Sequence, residues 1–231
     1  MALRYVVVQQ PVQAAQLFLL YHGADDNPDA MAQIGTWFAE AFPDAQVVSV
    51  GAPYTGNVPQ GRQWFMDYPA QDRSPQQCVD AVMPLFIESV RHWQRTAGVR
   101  PEATALVGFS QGSTMVLEGV KAQPELAGRV VAFSGRYTTL PERASRRNTI
   151  HLIHGDDDEQ VPLQHAEAAN QRLTELGGDV TLDVVNDLPH AIDERSMARA
   201  LHHLRYTIPR RYFDEALSGA KPNDDDVVMF L

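Results

Sequence analysis

The sequence predicts an α/β fold: a mostly parallel, doubly wound sheet with helices on both faces and no large lid. Two observations predict it. Apolar runs at residues 17–21 (LFLLY), 105–109 (ALVGF) and 150–154 (IHLIH) are continuous where half-buried strands would alternate, as expected of strands covered on both faces. Between them lie segments whose apolar residues recur at helical spacing, and strand alternating with helix at this pitch marks a sheet wound on both sides. At 231 residues the chain suffices for one such domain with a closed core and is short for two. A single domain over 1–231 is therefore expected, with 207–231 as a C-terminal extension.

Strands are expected at 4–8 and 17–21. Residues 29–41 then place Met31, Ile34, Trp37 and Phe38 on one stripe, a crossover helix leading to a strand at 46–50. A long loop, 51–74, carries Tyr54, Trp64, Phe65 and Tyr68. The next helix, 75–96, buries Val79, Val82, Phe86 and Val90 on one face. A strand at 103–109, a helix at 111–123 and a strand at 130–134 follow. The second long loop, 135–148, carries Arg136, Arg143, Arg146 and Arg147; loops of this length in a compact domain are more often functional than idle. After a strand at 149–154, a helix at 162–176 has Pro162 near its first turn and stops at Gly177 and Gly178. A strand at 180–184 and a helix from Asp193 toward Tyr206 complete the pattern. Ligands are expected outside the carboxyl ends of the strands.

The segment Gly108-Phe109-Ser110-Gln111-Gly112 is a G-x-S-x-G that follows an apolar run and opens a helix-compatible stretch, STMVLEGV. That is the strand-turn-helix context of a nucleophile elbow, in which a serine sits on a sharp turn and glycines let neighbouring chain approach it. A serine hydroxyl is a weak nucleophile that needs a base, itself oriented by an acid, and on such folds the chain order is Ser, acid, His. The sequence offers that order: the acidic run Asp156 to Glu159 after one strand, and His190, in DLPHAID, after the next. His151 falls inside a strand and His92, His165, His202 and His203 in helices, where they read as packing or surface residues. His22 and His154 stand beside glycines at strand ends and read as loop-shaping. Two backbone N–H groups are candidates for holding a developing oxyanion: that of Gln111, after the serine, and that of Ala24 in HGADD, after the strand at 17–21.

The acidic run, with His151, His154 and His165 nearby, invites a metal reading. Four successive acidic residues cannot all face one ion, and neither H-E-x-x-H nor EF-hand spacing occurs, so neither metal nor cofactor is expected. A net charge of −10 opposes broad contact with nucleic acid or anionic membrane surfaces. No apolar stretch approaches the roughly 18 residues that span a bilayer. One cysteine, Cys78, excludes an internal disulfide, and with no secretory pattern at the N-terminus the expectation is a cytoplasmic protein acting on a small molecule.

Taken together, HGADDNP near residue 22, GRQWFMD at 61–67, GFSQG at 108–112, HGDDDEQVP at 154–162 and LPHAID at 188–193 resemble the phospholipase/carboxylesterase family, which includes acyl-protein thioesterases. The resemblance spans about residues 15–205 and implies an α/β-hydrolase fold with Ser110 as nucleophile, Asp158 as acid and His190 as base. It also implies that Trp64 and Phe65, matching the family's W-F, wall the acyl pocket. Asp25 stands where the family's H-G-x-G-D has its second glycine. The interval 134–149 is too short for the helical lid that many lipases insert there. An open cleft walled by Tyr54, Trp64, Phe65 and Met66 suits short- to medium-chain esters, cleaved through an acyl-enzyme. Acyl-protein or acyl-CoA thioesterase and lysophospholipase activity are the alternatives, with a non-catalytic hydrolase-fold binding protein behind them. The ending resembles the bacterial esterase branch; its acidic and apolar tail either docks on the domain or contacts a second subunit in a homodimer, and the sequence leaves both open.

Overall fold

The computed structural model of the chain describes residues 3–66 and 73–217. Seven strands form one sheet: β1 (Tyr5–Gln9), β2 (Gln16–Tyr21), β3 (Ala45–Val50), β6 (Thr104–Phe109), β7 (Arg129–Phe133), β8 (Thr149–Gly155) and β9 (Asp179–Val185), in the spatial order β1-β3-β2-β6-β7-β8-β9. Only β1 runs antiparallel, against β3. This is the mostly parallel, doubly wound sheet of an α/β-hydrolase.

The continuous apolar runs have a direct explanation in the pleat. Along β2, Leu17, Leu19 and Tyr21 point into one core, which also takes residues of α2 (Pro75–Ala97), α3 (Gln111–Ala122) and α4 (Gln164–Glu175). Phe18 and Leu20 point into the other, beneath α1 (Pro28–Ala41) and α5 (Glu194–Tyr206). Alternation is present, but both phases are apolar because both faces are covered.

Local chemistry sets the helix ends. Asn27 caps α1 by accepting the N–H groups of Asp29 and Ala30, each at 3.0 Å. Ser74 and Gln77 form a capping box at α2, as Asp193 and Ser196 do at α5. At the end of α4, Gly177 takes φ 74° and the N–H of Gly178 bonds Leu173 O at 2.9 Å, the glycine stop that the sequence announces.

Besides a 3-10 turn at Pro101–Ala103, a hairpin and a final helix were not foreseen. A short hairpin, β4 (Tyr54–Thr55) with β5 (Arg62–Gln63), lies inside the 51–66 loop, and strands of two residues carry no readable period. A final helix, α6 (Arg210–Leu217), occupies the start of the expected extension. It docks through a buried arginine in place of an apolar stripe: Arg211 Nη1 donates to Gly128 O at 3.2 Å, and Asp214 meets Arg146 at 3.1 Å. The rest of the extension, 218–231, lies outside the described residues, as does Tyr68. Among the described residues no helix is long and apolar enough to cross a membrane.

Candidate active site

Ser110 stands at the turn from β6 into α3 with φ 53° and ψ −115°. A non-glycine residue held so far from the common wells costs on the order of 1–3 kcal/mol and persists only where its surroundings enforce it. They do: Ser110 N–H bonds Phe133 O on β7 at 3.0 Å, and Ser110 O receives Thr114 N–H at 3.1 Å. The two glycines of the motif are there for space. A Cβ on Gly108 would lie 2.5 Å from Ser113 N, and one on Gly112 would lie 2.0 Å from Tyr21 O.

His190, on the loop after β9, presents Nδ1 at 2.8 Å from Oδ2 of Asp158 on the loop after β8. The Asp158 side chain is wholly buried, and its Oδ1 accepts the N–H groups of Val161 at 2.9 Å and Gln160 at 3.0 Å. Burial pushes its pKa up, but the Val161 N–H, the His190 hydrogen bond and the two nearby imidazoles outweigh that, leaving it below the usual carboxylate range. The Phe109 ring lies 4.8 Å from the His190 ring, centroid to centroid.

His154, which the sequence marked as loop-shaping, is a further partner of this carboxylate. Its Nε2 lies 2.7 Å from Val161 O and 3.4 Å from Asp158 Oδ2. Since a carbonyl only accepts, Nε2 carries the proton. Burial lowers the pKa of His154 below the ordinary imidazole value, so the ring is neutral and donates from Nε2 to Val161 O beside the acid. No spacing rule finds such a residue; only its place four positions before Asp158, with the chain reversing between, hints at it.

Asp156 and Asp157 join the two loops. Asp156 Oδ1 accepts Asp187 N–H at 2.7 Å, and the N–H groups of Asp156 and Asp157 bond Val185 O and Leu188 O, each at 3.2 Å. Gly155 permits the close approach, since a Cβ there would lie 1.9 Å from Leu188 O.

After β2, His22 fixes the loop that carries Ala24. Ala52 N–H donates to His22 Nε2 at 3.0 Å, so that nitrogen is bare and Nδ1–H donates to Gly23 O at 2.6 Å. Burial holds the His22 pKa below its ordinary value, in keeping with a neutral ring. Asp25, in place of the expected second glycine, takes φ 61°, a left-handed conformation that Asp tolerates better than most residues. It is pinned there by its N–H to Arg62 O at 2.9 Å and by Asn57, which donates both its backbone N–H and Nδ2 to the carboxylate. Ala24, Ser110, Gln111 and His190 line one cleft of about 660 Å³.

Comparison with known proteins places the chain. Residues 3–208 match the phospholipase/carboxylesterase family. The chain belongs to that family. Among its relatives, the esterase YpfH of Escherichia coli (strain K12) is 60% identical over 228 residues, covering 98% of each chain. Acyl-protein thioesterase 1 of Kluyveromyces lactis is 24% identical over 188 residues, 74% of this chain and 80% of that one. The crystal structure of esterase PE8 superposes with a TM-score of 0.76 at 28% identity, covering 85% of this chain and 94% of that one.

In this phospholipase/carboxylesterase family member the two aromatic residues of the W-F pair part company. Phe65 lines the cleft with Met66, whereas Trp64 is fully buried behind them, donating from Nε1 to His22 O at 2.9 Å and edging against Tyr21 and Phe86. Tyr54 is exposed and lies outside the cleft lining. Gln111 has a second task that the sequence did not show. Its buried amide accepts Trp64 N–H at 2.6 Å and donates to Phe65 O at 3.0 Å, tying the aromatic segment to the residue after the serine. Cys78, on α2, is half-buried and also borders the cleft. Among the described residues no group of three His, Cys, Asp or Glu side chains is arranged to hold a metal ion.

Proposed function

We propose that this protein is a serine carboxylesterase that hydrolyses short- to medium-chain carboxylic esters through an acyl-enzyme. One observation carries the reading: a buried carboxylate, Asp158, holds His190 Nδ1 at 2.8 Å in a cleft that is also lined by a serine on a strained turn. With Nδ1–H bonded to Asp158, Nε2 keeps its lone pair and is the proton acceptor. Ser110 Oγ attacks the ester carbonyl carbon as its proton passes to Nε2. The backbone N–H groups of Ala24 and Gln111 are the donors assigned to the resulting oxyanion. Collapse expels the alcohol, which takes the proton from Nε2 and leaves Ser110 acylated. Water then attacks the acyl carbon, giving a proton to Nε2, and the acid departs as Ser110 regains it. Asp158 stays ionised throughout, supported by the groups that lower its pKa, and balances the imidazolium.

A cleft of about 660 Å³ bordered by Phe65, Met66 and Tyr137, with no helix in the 134–148 segment to cover it, supports short to medium acyl chains. With Cys78 as the sole cysteine, we place the protein in the cytoplasm. A fluorophosphonate probe is expected to label the wild-type protein and not Ser110→Ala, whose circular dichroism is unchanged and whose turnover of butyrate esters is lost. Turnover by well-folded Ser110→Ala overturns the assignment. Matched oxygen and sulfur esters, compared by kcat/KM, separate esterase from thioesterase preference.

A further inference from the structure

The segment after β7 is fastened on both sides of one free side chain. Ser134 takes φ 48° and bonds Ile153 O at 3.0 Å. Gly135 lies so near α3 that a Cβ there would stand 2.1 Å from Ser113 Cβ. On the far side, Glu118 of α3, only 2% exposed, accepts Thr138 N–H at 2.9 Å and the Thr138 hydroxyl at 2.8 Å. Lys121 bonds the same carboxylate at 2.8 Å and Thr139 O at 2.7 Å, and the Tyr137 ring is buried beside it. The backbone that carries Arg136 therefore has little freedom.

Arg136 itself is exposed at the cleft, which it lines with Ser110, His165 and His190, and among the described residues it has no hydrogen-bond or ion-pair partner. Two other arginines of the same loop are paired, Arg146 with Asp214 at 3.1 Å and Arg147 with Glu125 at 3.3 Å, and Arg143 is not among the residues that line the cleft. Sheet order sets where this charge falls. Ser110 follows β6, the strand between β2 and β7; Asp26 follows β2 and Arg136 follows β7. Among the described residues, the cleft's formal charges thus flank the serine, negative on one side and positive on the other. Its field reaches the cleft: burial and then the Arg136 charge disfavour the imidazolium of His165.

We propose that Arg136 is a specificity-determining residue that recognises an anionic group, a carboxylate or a phosphate, on the ester substrate. A guanidinium is always charged and offers a planar fork of donors that fits either oxyanion. In a chain of net charge −10, an anionic ester needs such a local cation to enter the cleft. Which bond is cut rests on the serine-esterase reading; the recognition does not.

The test compares three ester pairs: ethyl pentanoate with monoethyl glutarate, phenyl butyrate with its para-carboxy derivative, and phenyl butyrate with its para-phosphate derivative. The pairs distinguish an anion on the acyl side from one on the leaving group, and carboxylate from phosphate. Arg136→Gln is expected to lower the anionic-to-neutral ratio of kcat/KM for at least one pair by about tenfold or more, mainly through KM, with Arg136→Lys restoring part of it. An unchanged ratio on all three pairs, or equal losses on neutral and anionic members, overturns the proposal. Calorimetric binding of the same anionic esters to Ser110→Ala, with and without Arg136→Gln, reads recognition without turnover. The binding there should weaken about tenfold for the recognised ester; no weakening for any ester overturns the proposal, whatever becomes of the catalytic assignment.

Discussion

Asp156, Asp157 and Asp158 are adjacent in the chain and do unlike things. The first two spend backbone and side-chain groups on joining the β8 and β9 loops, while only the third faces His190. Asp158→Asn keeps the shape but removes the charge that favours the productive tautomer and the imidazolium. Its kcat is expected to fall on the order of 10³ to 10⁴, by analogy with the serine-protease acid. Asp156→Asn and Asp157→Asn should cost far less. Measuring kcat and circular dichroism for all three decides it, and a dead but folded Asp156→Asn or Asp157→Asn would move the acid. Residue types and their order were legible, since Ser110, an acidic run and His190 stand in that order at the ends of β6, β8 and β9. Local pattern does not choose among neighbouring aspartates, because that depends on how the chain turns after Gly155. His154 and the side chain of Gln111 were hidden for the same reason: their work lies in partners distant in sequence or across a turn.

At the scale of elements, the hairpin of β4 and β5 redistributes the aromatic residues. Trp64 was expected at the wall of the cleft and lies in the core at 0% exposure, with Phe65 and Met66 left at the cleft. Removing the indole leaves a cavity among Tyr21, His22 and Phe86 and an unpaired His22 carbonyl. Trp64→Ala is expected to cost about 3–5 kcal/mol in urea unfolding, the usual range for a buried large aromatic. Turnover per folded molecule should then fall alike for acetyl and medium-chain esters. Intact stability with a loss confined to medium chains would return Trp64 to the wall. The strands of the main sheet were readable as apolar runs, and the helices around it because each is long enough to show its period. The hairpin and α6 were not: two residues have no period, and α6 docks through Arg211.

At the scale of the whole molecule, three buried histidines, His22, His151 and His154, have pKa values lowered first by burial. The unfolded chain takes up protons at these positions near pH 6.5 while the folded one does not. More protons bound in the unfolded state means that stability rises with pH. The contribution is therefore full above about pH 6.5 and is lost as pH falls from there toward the depressed folded values. The Asp158 carboxylate, also depressed, adds a second loss at lower pH, below about 4. Urea midpoints measured from pH 8 to pH 5 should decline through the first window; a flat profile would contradict the buried neutral imidazoles.

The sequence by itself determined the class of fold, the order of the seven strands along the chain, the turn that carries Ser110 and the strand-end loops that carry the acidic run and His190. These follow from short-range rules: the periods of burial, glycine where a Cβ has no room, and caps at helix ends. Only the tertiary structure decided the order of strands across the sheet, and with it which loops flank the serine. It also decided which aromatic residue faces the cleft, how Asp158, which the sequence marks only through its family resemblance, meets His190, and that Arg136 faces the cleft without a carboxylate partner among the described residues. Each of these depends on distances between segments tens of residues apart, which packing sets and no local pattern encodes.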